Sequence, residues 1–221
     1  MSQYFDNVDL KSNIEKYKTR IFDKEFCFNT DNGVFSKSKL DFGTRCLLEN
    51  LPLEEIKGEI LEVGCGYGVI PIILTRIVDK IESFDAVDVN KRALHLAEMN
   101  KKENFAPKVN FFLSDCYKNI NKKYDVIISN PPIRAGKNIV YEIVMNARNY
   151  LKEDGKLFIV INKDQGAKSL YKDLEKVYNI LKEGTNKAKK TADKTVVEVK
   201  KAMKLNYFED SEYLNELLNS K

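Results

Sequence analysis

Short apolar segments alternate with longer amphipathic segments through the middle of the chain, and this alternation constrains the fold most strongly. Between the apolar segments, nonpolar residues recur at helical spacings of three and four, most clearly from Ile139 to Leu151. The pattern predicts a parallel sheet with helices on both faces. Right-handed crossovers bring the carboxyl ends of the strands to one edge, where we expect the functional site. The predicted strands span residues 60–63, 84–89, 109–113, 124–129 and 157–162.

The first predicted strand runs into a glycine-rich turn. Gly64, Gly66 and Gly68 follow Glu62 with G-x-G-x-G spacing, which differs from the G-x-G-x-x-G spacing of dinucleotide sites. Glycines permit backbone angles and close approaches that a Cβ would block. A carboxylate at Glu62 would repel a phosphate but can accept a hydrogen bond from an ammonium or hydroxyl group. The turn therefore predicts a nucleoside-like ligand without phosphates, in contact with Glu62, Gly64, Cys65, Gly66 and Gly68.

An acidic residue follows the second predicted strand as well. Asp88 lies 24 residues beyond Gly64, close to the position at which nucleotide sites carry a carboxylate for the ribose. Its side chain can accept hydrogen bonds from both ribose hydroxyls. We therefore expect Asp88 and the adjacent Val89 to contact the same ligand.

A second candidate site follows the fourth predicted strand. After Asn130, Pro131 and Pro132 fix φ and remove two backbone donors, which leaves a rigid edge of carbonyl oxygens. The exocyclic NH2 of a base is a poor nucleophile because its lone pair is delocalised into the ring. Acceptors that hold both N–H bonds favour a pyramidal nitrogen, and the Asn130 side chain and the Pro131 carbonyl can supply them. The segment predicts a catalytic site formed by Asn130, Pro131, Pro132 and Ile133.

Together these segments resemble the successive motifs of class I S-adenosylmethionine-dependent methyltransferases. The residues that carry the resemblance are 62–68, Asp88, 114–115 and 130–133. More closely, segments 30–36, 41–44 and 130–137 resemble the small-subunit (16S) ribosomal RNA guanine-N2 methyltransferase C family in its short single-domain form. The resemblance runs from about Tyr4 to Gly184.

The resemblance implies an α/β, Rossmann-like class I methyltransferase fold. Its sheet is expected to have seven mostly parallel strands with helices on both faces, and the last two strands are expected at 178–181 and 195–199. The expected domains are an N-terminal appendage over 1–55 packed on the core, a methyltransferase core over 56–202 and a short C-terminal extension over 203–221.

The appendage is expected to contain a β-hairpin and a short helix. Residues 25–30 alternate as a strand does, and Asp31-Asn32-Gly33 predicts a turn into a second strand at Val34-Phe35. Thr44 is a candidate cap for the short helix that follows.

The resemblance also assigns a cofactor and further contacts. It implies S-adenosyl-L-methionine as the cofactor, with Asp115 facing the adenine amino group, although Ser-Asp also caps helices well. Phe35 and Ser36 either cover the substrate pocket or belong to the core. Arg134 and Lys137 either bind RNA phosphates or are solvated loop residues. Ile133, at the fourth position of the motif, offers the target base an apolar contact without strong stacking.

Composition excludes several other classes. No run approaches the roughly 20 apolar residues that a membrane span needs, and the N-terminus has no signal-peptide pattern, so a cytoplasmic protein without membrane association is expected. The four cysteines are dispersed, without a C-x-x-C pair or clustered histidines, so no metal is expected. A net charge of +4 is too small to establish nucleic-acid binding, and the oligomeric state stays open.

These observations predict an enzyme that transfers the methyl group of S-adenosylmethionine to the exocyclic N2 of a guanine in small-subunit ribosomal RNA. Ribosomal RNA or the small ribosomal subunit is then the expected partner. The asparagine motif also resembles that of enzymes that methylate adenine N6 in nucleic acid or a glutamine side chain in protein. A non-catalytic assembly factor that binds RNA or the cofactor is the alternative from another class.

Overall fold

The centre of the fold is a sheet of five strands in which every neighbouring pair is parallel. The structure, a computed structural model, describes residues 10–132, 136–162 and 166–202. Its strands are β1 (Glu15–Ile21), β2 (Lys24–Thr30), β3 (Gly58–Val63), β4 (Ile81–Asp88), β5 (Val109–Leu113), β6 (Tyr124–Ser129) and β7 (Leu151–Ile159). Its helices are α1 (Phe42–Asn50), α2 (Val69–Ile77), α3 (Lys91–Glu103), α4 (Lys137–Tyr150) and α5 (Ala167–Ala202), with a 3-10 turn at Leu53–Glu55.

The strand order of the sheet is β5-β4-β3-β6-β7. The chain therefore builds outwards from β3 in one direction and then returns to the other side of β3 at β6. In open parallel sheets, ligands bind outside the carboxyl ends of the strands at such a reversal. The segments that follow β3 and β6 are the predicted glycine turn and the predicted asparagine motif.

Both faces of the sheet are covered, because alternate residues of each strand point to opposite sides. Ile60 of β3 and Ile128 of β6 belong to one buried cluster, together with residues of α1, α2, α3 and the hairpin. Leu61 and Ile127 belong to a second cluster on the other face, with residues of α4 and of segment 116–120. The prediction of a parallel sheet wrapped on both faces is confirmed.

The prediction of seven strands is wrong for the described residues, where the parallel sheet has five. The segments predicted as the last two strands, 178–181 and 195–199, lie within α5. The chain has no proline after Pro132, and α5 is rich in lysine, glutamate and alanine, which favour helix over its one glycine and its threonines. Within α5 the hydroxyls of Thr191 and Thr195 are satisfied by carbonyls one turn earlier, at 3.0 Å each.

The hairpin is present, but its partner strand was predicted wrongly. Strand β2 pairs antiparallel with β1, which precedes it, and the turn is formed by Phe22 and Asp23 with φ of 52° and 58°. Asp31, which was predicted as a residue of the hairpin turn, lies outside that turn. Its carboxylate accepts hydrogen bonds from the backbone N–H groups of Asn13 and Asn32, at 2.5 and 2.7 Å, and so binds the chain that enters β1.

Two boundaries also differ from prediction. Strand β7 begins at Leu151, which pairs with Tyr124 ahead of an irregularity in the register, whereas the sequence pattern placed Leu151 in the helix. Helix α1 is capped by Asp41, whose carboxylate accepts the N–H of Thr44, rather than by Thr44 itself. An aspartate is among the most effective capping residues, and it stands one residue before the helix begins.

The chain divides into two compact units between Ala167 and Lys168. The first contains the sheet, the hairpin and helices α1 to α4, and the second contains α5 from Lys168 onwards. The limits predicted for the appendage, core and extension stay predictions, and residues 203–221 lie outside the described part of the chain.

Candidate active site

A cavity of about 660 Å³ opens at the carboxyl edge of the sheet, where the segments after β3 and β6 diverge. Its volume lies in the range typical of small-molecule sites. The predicted cofactor and catalytic residues that line it are Glu62, Gly64, Cys65, Gly66, Asp88, Val89, Asp115, Asn130, Pro131 and Pro132. Phe35 and Ser36, predicted to cover a substrate, also line it. The topology has therefore brought residues from four separate strand ends to one place.

Two predicted site residues within the described part of the chain, Gly68 and Lys137, are not among the residues that line the cavity. Gly68 packs inward instead, because a Cβ at this position would lie 2.6 Å from the ring of Phe111. Lys137 is the first residue of α4 and is exposed. Ile133 and Arg134 lie outside the described residues.

The glycine turn is held in a shape that only glycine adopts without strain. Gly64 and Gly66 have φ of 82° and 55°, in the left-handed region. The N–H groups of Gly64 and Cys65 both donate to the carbonyl of Val87 at the end of β4, at 2.8 and 3.0 Å. The turn is thereby tied to the neighbouring strand, and its backbone forms one wall of the cavity.

Asp88 links the ends of β3 and β4 and faces the cavity. One carboxylate oxygen accepts the N–H of Gly66 at 2.8 Å, and the other accepts the N–H of Asn90 at 2.8 Å. Burial raises the pKa of Asp88, whereas these backbone donors oppose the rise. Each carboxylate oxygen can accept more than one hydrogen bond, so Asp88 can still accept hydroxyl groups from a ligand.

Glu62 is the most unusual group in the cavity. It is 2% exposed, and its Oε2 has no hydrogen-bond partner among the described residues. Burial raises the pKa of Glu62 well above its ordinary value, and the negative charge of Asp88 raises it further. An unsatisfied buried acceptor costs about 1–3 kcal/mol. A ligand that donates hydrogen bonds, and above all a cation, would satisfy it.

Asn130 follows the end of β6 and lines the same cavity. Its Nδ2 donates to Asp41 Oδ2 at 3.2 Å and to Thr44 Oγ1 at 3.0 Å. The preceding residue, Ser129, donates from its hydroxyl to the carbonyl of Val63 at 2.7 Å. This bond ties the end of β6 to the end of β3 and so fixes the separation between the asparagine segment and the glycine turn.

Sequence reasoning missed the role of the first turn of α1 in this site. Asp41 and Thr44 contact Asn130 directly, and Phe42, between them, lines the cavity while 83% exposed. The signal was present in segment 41–44, which carried part of the family resemblance. No local pattern, however, indicates contact between residues 86 to 89 positions apart.

A second tie joins the glycine turn to the loop that carries Phe35 and Ser36. Tyr67, in the middle of the turn, donates from its hydroxyl to the carbonyl of Ser36 at 3.1 Å and is hydrogen-bonded to the Tyr17 hydroxyl at 3.0 Å. Burial raises the pKa of Tyr17 to about 12 and raises the pKa of Tyr67 as well. Ser36 has φ of 55°, so this loop is held in a less favourable backbone region.

Asp115 differs from the other carboxylates of the cavity because it is half-exposed and ion-paired with Lys118.

Within residues 10–132, 136–162 and 166–202, no three metal-ligating side chains are grouped closely enough to hold a metal ion. The helices of the same residues include none that is long and apolar enough to cross a membrane.

The chain is similar in sequence to a known protein family and to individual proteins. Residues 25–191 match the family model described as Methyltransferase small domain. The uncharacterized protein YbxB of Bacillus subtilis (strain 168) is 40% identical over 179 residues, which cover 80% of this chain and 88% of that protein. The ribosomal RNA small subunit methyltransferase C of Psychromonas ingrahamii is 36% identical over 154 residues, which cover 68% of this chain and 43% of that protein.

Among solved structures, the chain is similar to the Thermus thermophilus 16S rRNA N2 G1207 methyltransferase (RsmC) in complex with AdoMet and guanosine. The TM-score is 0.62 and the identity 26%, over 70% of this chain and 43% of that one. The chain thus spans less than half the length of these two methyltransferase C relatives.

Proposed function

The chain belongs to the methyltransferase small-domain family, and from this premise we propose that it methylates the exocyclic N2 of a guanine in small-subunit ribosomal RNA. The observation that carries the proposal is that Asn130 lines the same cavity as Glu62, Gly64 and Asp88. Glu62, Gly64 and Asp88 suit the cofactor of the family, and Asn130 suits an amine. We expect the enzyme to act in the cytoplasm, where ribosomal RNA is found.

The cofactor is S-adenosylmethionine, and the residues of the cavity fit it. The unpartnered Oε2 of Glu62 is the group that an ammonium would satisfy. Asp88 has acceptor capacity left for ribose hydroxyls, and the glycine turn leaves space, since no described residue other than its chain neighbours lies within 4 Å of where a Gly66 Cβ would stand. When bound, this cofactor supplies an activated methyl group on a sulfonium.

The chain itself supplies orientation. Asn130 and Pro131 line the cavity, and the Asn130 Oδ1 and the Pro131 carbonyl are the acceptors that would hold the two N–H bonds of a substrate amine. Positive charge develops on the amine nitrogen during methyl transfer, and fixed carbonyl dipoles stabilise it. Alignment of a bound nucleophile with its electrophile can contribute about 7–11 kcal/mol. No covalent enzyme intermediate is required, and the surplus proton leaves to solvent after transfer.

The choice of guanine rests on the relatives. The Thermus thermophilus protein that is similar over 70% of this chain was solved in complex with AdoMet and guanosine, and the Psychromonas relative is a small-subunit ribosomal RNA methyltransferase. A base within a helix cannot reach a methyl group held inside a cavity, so the target guanine must be unpaired or flipped out.

The test is a modification assay. Small ribosomal subunits and naked ribosomal RNA from cells that lack the gene would be incubated with the purified chain and methyl-labelled S-adenosylmethionine, and nucleosides would be analysed by mass spectrometry. We expect label in N2-methylguanosine with at least one of the two substrates. Label in N6-methyladenosine or in protein would redirect the proposal to another amine. Cofactor binding in calorimetry without methyl transfer to any of them would favour the assembly-factor alternative.

A further inference from the structure

The first turn of α1 supplies the hydrogen-bond acceptors that hold the Asn130 side chain. Asp41 Oδ2 accepts from Asn130 Nδ2 at 3.2 Å, and Thr44 Oγ1 accepts from the same nitrogen at 3.0 Å. Both hydrogens of the amide NH2 group therefore have acceptors. The remaining polar atom of the side chain is Oδ1, which can only accept.

The chemistry of Asp41 determines which way the amide faces. Its Oδ2 also receives the N–H of Thr44 at 2.9 Å, and an ionised carboxylate has no hydrogen to donate. The part of Asn130 that faces it must therefore be the NH2 group. Rotation of the amide by a half turn would place Oδ1 against the carboxylate and present two N–H groups to the cavity, where an amine substrate requires an acceptor.

Gly43 allows this close arrangement. A Cβ at Gly43 would lie 3.0 Å from Asp41 Oδ2 and 3.5 Å from Asn130 Nδ2. The shorter distance is tighter than ordinary contacts, so a larger residue would press on the carboxylate that orients the amide. The three residues Asp41, Gly43 and Thr44 thus form a socket around one nitrogen, which we call the amide socket.

We propose that Asp41 and Thr44 are positioning residues that fix Asn130 with its Oδ1 towards the substrate amine. The inference rests on the proposed function in one respect, since it takes the substrate to be an amine whose N–H bonds Asn130 accepts. In this arrangement Asp41 and Thr44 act on Asn130 and not on the substrate. By accepting both N–H bonds of the amide, they leave Oδ1 as the atom of the side chain that faces the amine.

Asp41→Asn is the most informative variant. Asparagine caps helices as well as aspartate does, so α1 keeps its cap. An asparagine at position 41 can also donate, however, and then Asn130 is accommodated in either orientation. We expect kcat to fall in proportion to the fraction of molecules in which the amide is reversed, by about twofold or more, while cofactor affinity and thermal stability stay unchanged. Glu49→Gln, in the exposed ion pair with Arg45 on the same helix, is the control and should leave kcat unchanged.

Thr44 provides a matched pair of variants. Thr44→Val removes the hydroxyl at nearly constant shape and should lower kcat by about tenfold, as expected for one hydrogen bond to a neutral group. Thr44→Ser keeps the hydroxyl and should restore most of the rate. If Thr44 had a purely structural role, the kcat of each variant would instead fall in line with its loss of stability.

A second measurement needs no substrate. The side-chain NH2 of Asn130 can be followed by NMR, with its resonances assigned by their loss in Asn130→Asp. In the wild-type chain we expect two separate, slowly exchanging hydrogens, and in Asp41→Asn and Thr44→Val we expect faster exchange. If the wild-type chain methylates no guanine but this pattern is found, the proposed function fails and the positioning role stands. Unchanged exchange in both variants, or full activity of both, would overturn the positioning role.

Discussion

Strand β3 carries two glutamates, three residues apart, whose surroundings are opposite. Glu59, near the amino end, is paired with Lys122 at 2.9 Å and Lys152 at 3.1 Å, and hydrogen bonds from these lysines lower its pKa. Glu62, near the carboxyl end, is buried with one oxygen unpartnered, and burial raises its pKa. The same residue type on the same strand is satisfied by the protein at one end and left unsatisfied at the other.

The amino end as a whole forms a closed network of charges. Lys122 also reaches Asp85 at 3.1 Å, and Lys152 also reaches Asp125 at 2.8 Å. The Asp125 carboxylate in addition accepts the N–H of Glu59 at 2.8 Å. Each of these three carboxylates is paired with a lysine, so this network has the character of a structural support. The carboxyl end keeps its acceptors available, which is what a binding site for a cation or an amine requires.

The largest expected effect that separates the two ends is on catalysis. Asn130→Ala removes the side-chain acceptor at the carboxyl end, and we expect kcat to fall by about 10²–10³ or more, as when one stabilising dipole is lost at a charge that develops in the transition state. Cofactor affinity should change little, because Glu62 and Asp88 are intact. Single-turnover methyl transfer and calorimetric titration of S-adenosylmethionine measure the two quantities. Transfer at a near wild-type rate would show that Asn130 is not the amine acceptor.

Glu62→Gln tests the residue proposed to bind the cofactor in the same cavity. The neutral amide keeps the shape but removes the charge, and we expect S-adenosylmethionine to bind about 10- to 100-fold more weakly, since hydrogen bonds to charged groups contribute about 1.5–3 kcal/mol. The free protein should be no less stable than wild type, because the buried charge is costly in the absence of ligand. Loss of stability without loss of affinity would mean that Glu62 is a structural residue.

The pH dependence sharpens the contrast. The raised pKa means that Glu62 keeps its proton to a higher pH when folded than when unfolded, so its ionisation lowers stability as pH rises through the raised value. A cationic ligand needs the ionised form of Glu62, so the affinity for the cofactor should rise over the same pH range. In Glu62→Gln this affinity should depend less on pH. Titrations of cofactor binding from pH 5 upwards test this, and an identical slope in the variant would exclude Glu62 as the titrating group.

An exposed aromatic residue, Phe42, lines the cavity at the carboxyl end of the sheet. Phe42 is 83% exposed and lines the cavity beside the residues that hold Asn130, whereas the motif itself carries the non-aromatic Ile133. Stacking of a base on an aromatic side chain contributes about 1–3 kcal/mol. We expect Phe42→Ala to raise KM for RNA about tenfold, with Phe42→Tyr as the conservative control. Equal KM values for all three proteins would place the base elsewhere.

How far the sequence predicted these features depends on the range of the interactions. The strands β5 and β6 lie at the predicted residues because each is an apolar run bounded by polar ones. Glu62, Asp88 and Asn130 reach one cavity because parallel topology alone brings strand ends together. Local patterns do not predict three other features: the contact between Asp41 and Asn130, the pairing of β1 with β2, and the continuation of α5 through 195–199. Each depends on residues that are far apart in sequence or on a choice between two structures of nearly equal stability.

The smallest expected effect is at the amino end, and it completes the comparison. Glu59→Gln should lower the free energy of unfolding by less than about 1 kcal/mol, because the side chain is 31% exposed and exposed pairs contribute little. The lowered pKa of Glu59 contributes stability that is present above its unfolded value and is lost as pH falls through its folded value. The difference from wild type should therefore disappear in acid, and kcat should stay unchanged throughout. Urea unfolding at neutral and acidic pH, with a methyl-transfer assay beside it, measures both. A loss of cofactor affinity comparable to that of Glu62→Gln would show that the two ends of β3 are coupled, and their opposite surroundings would then no longer separate support from site.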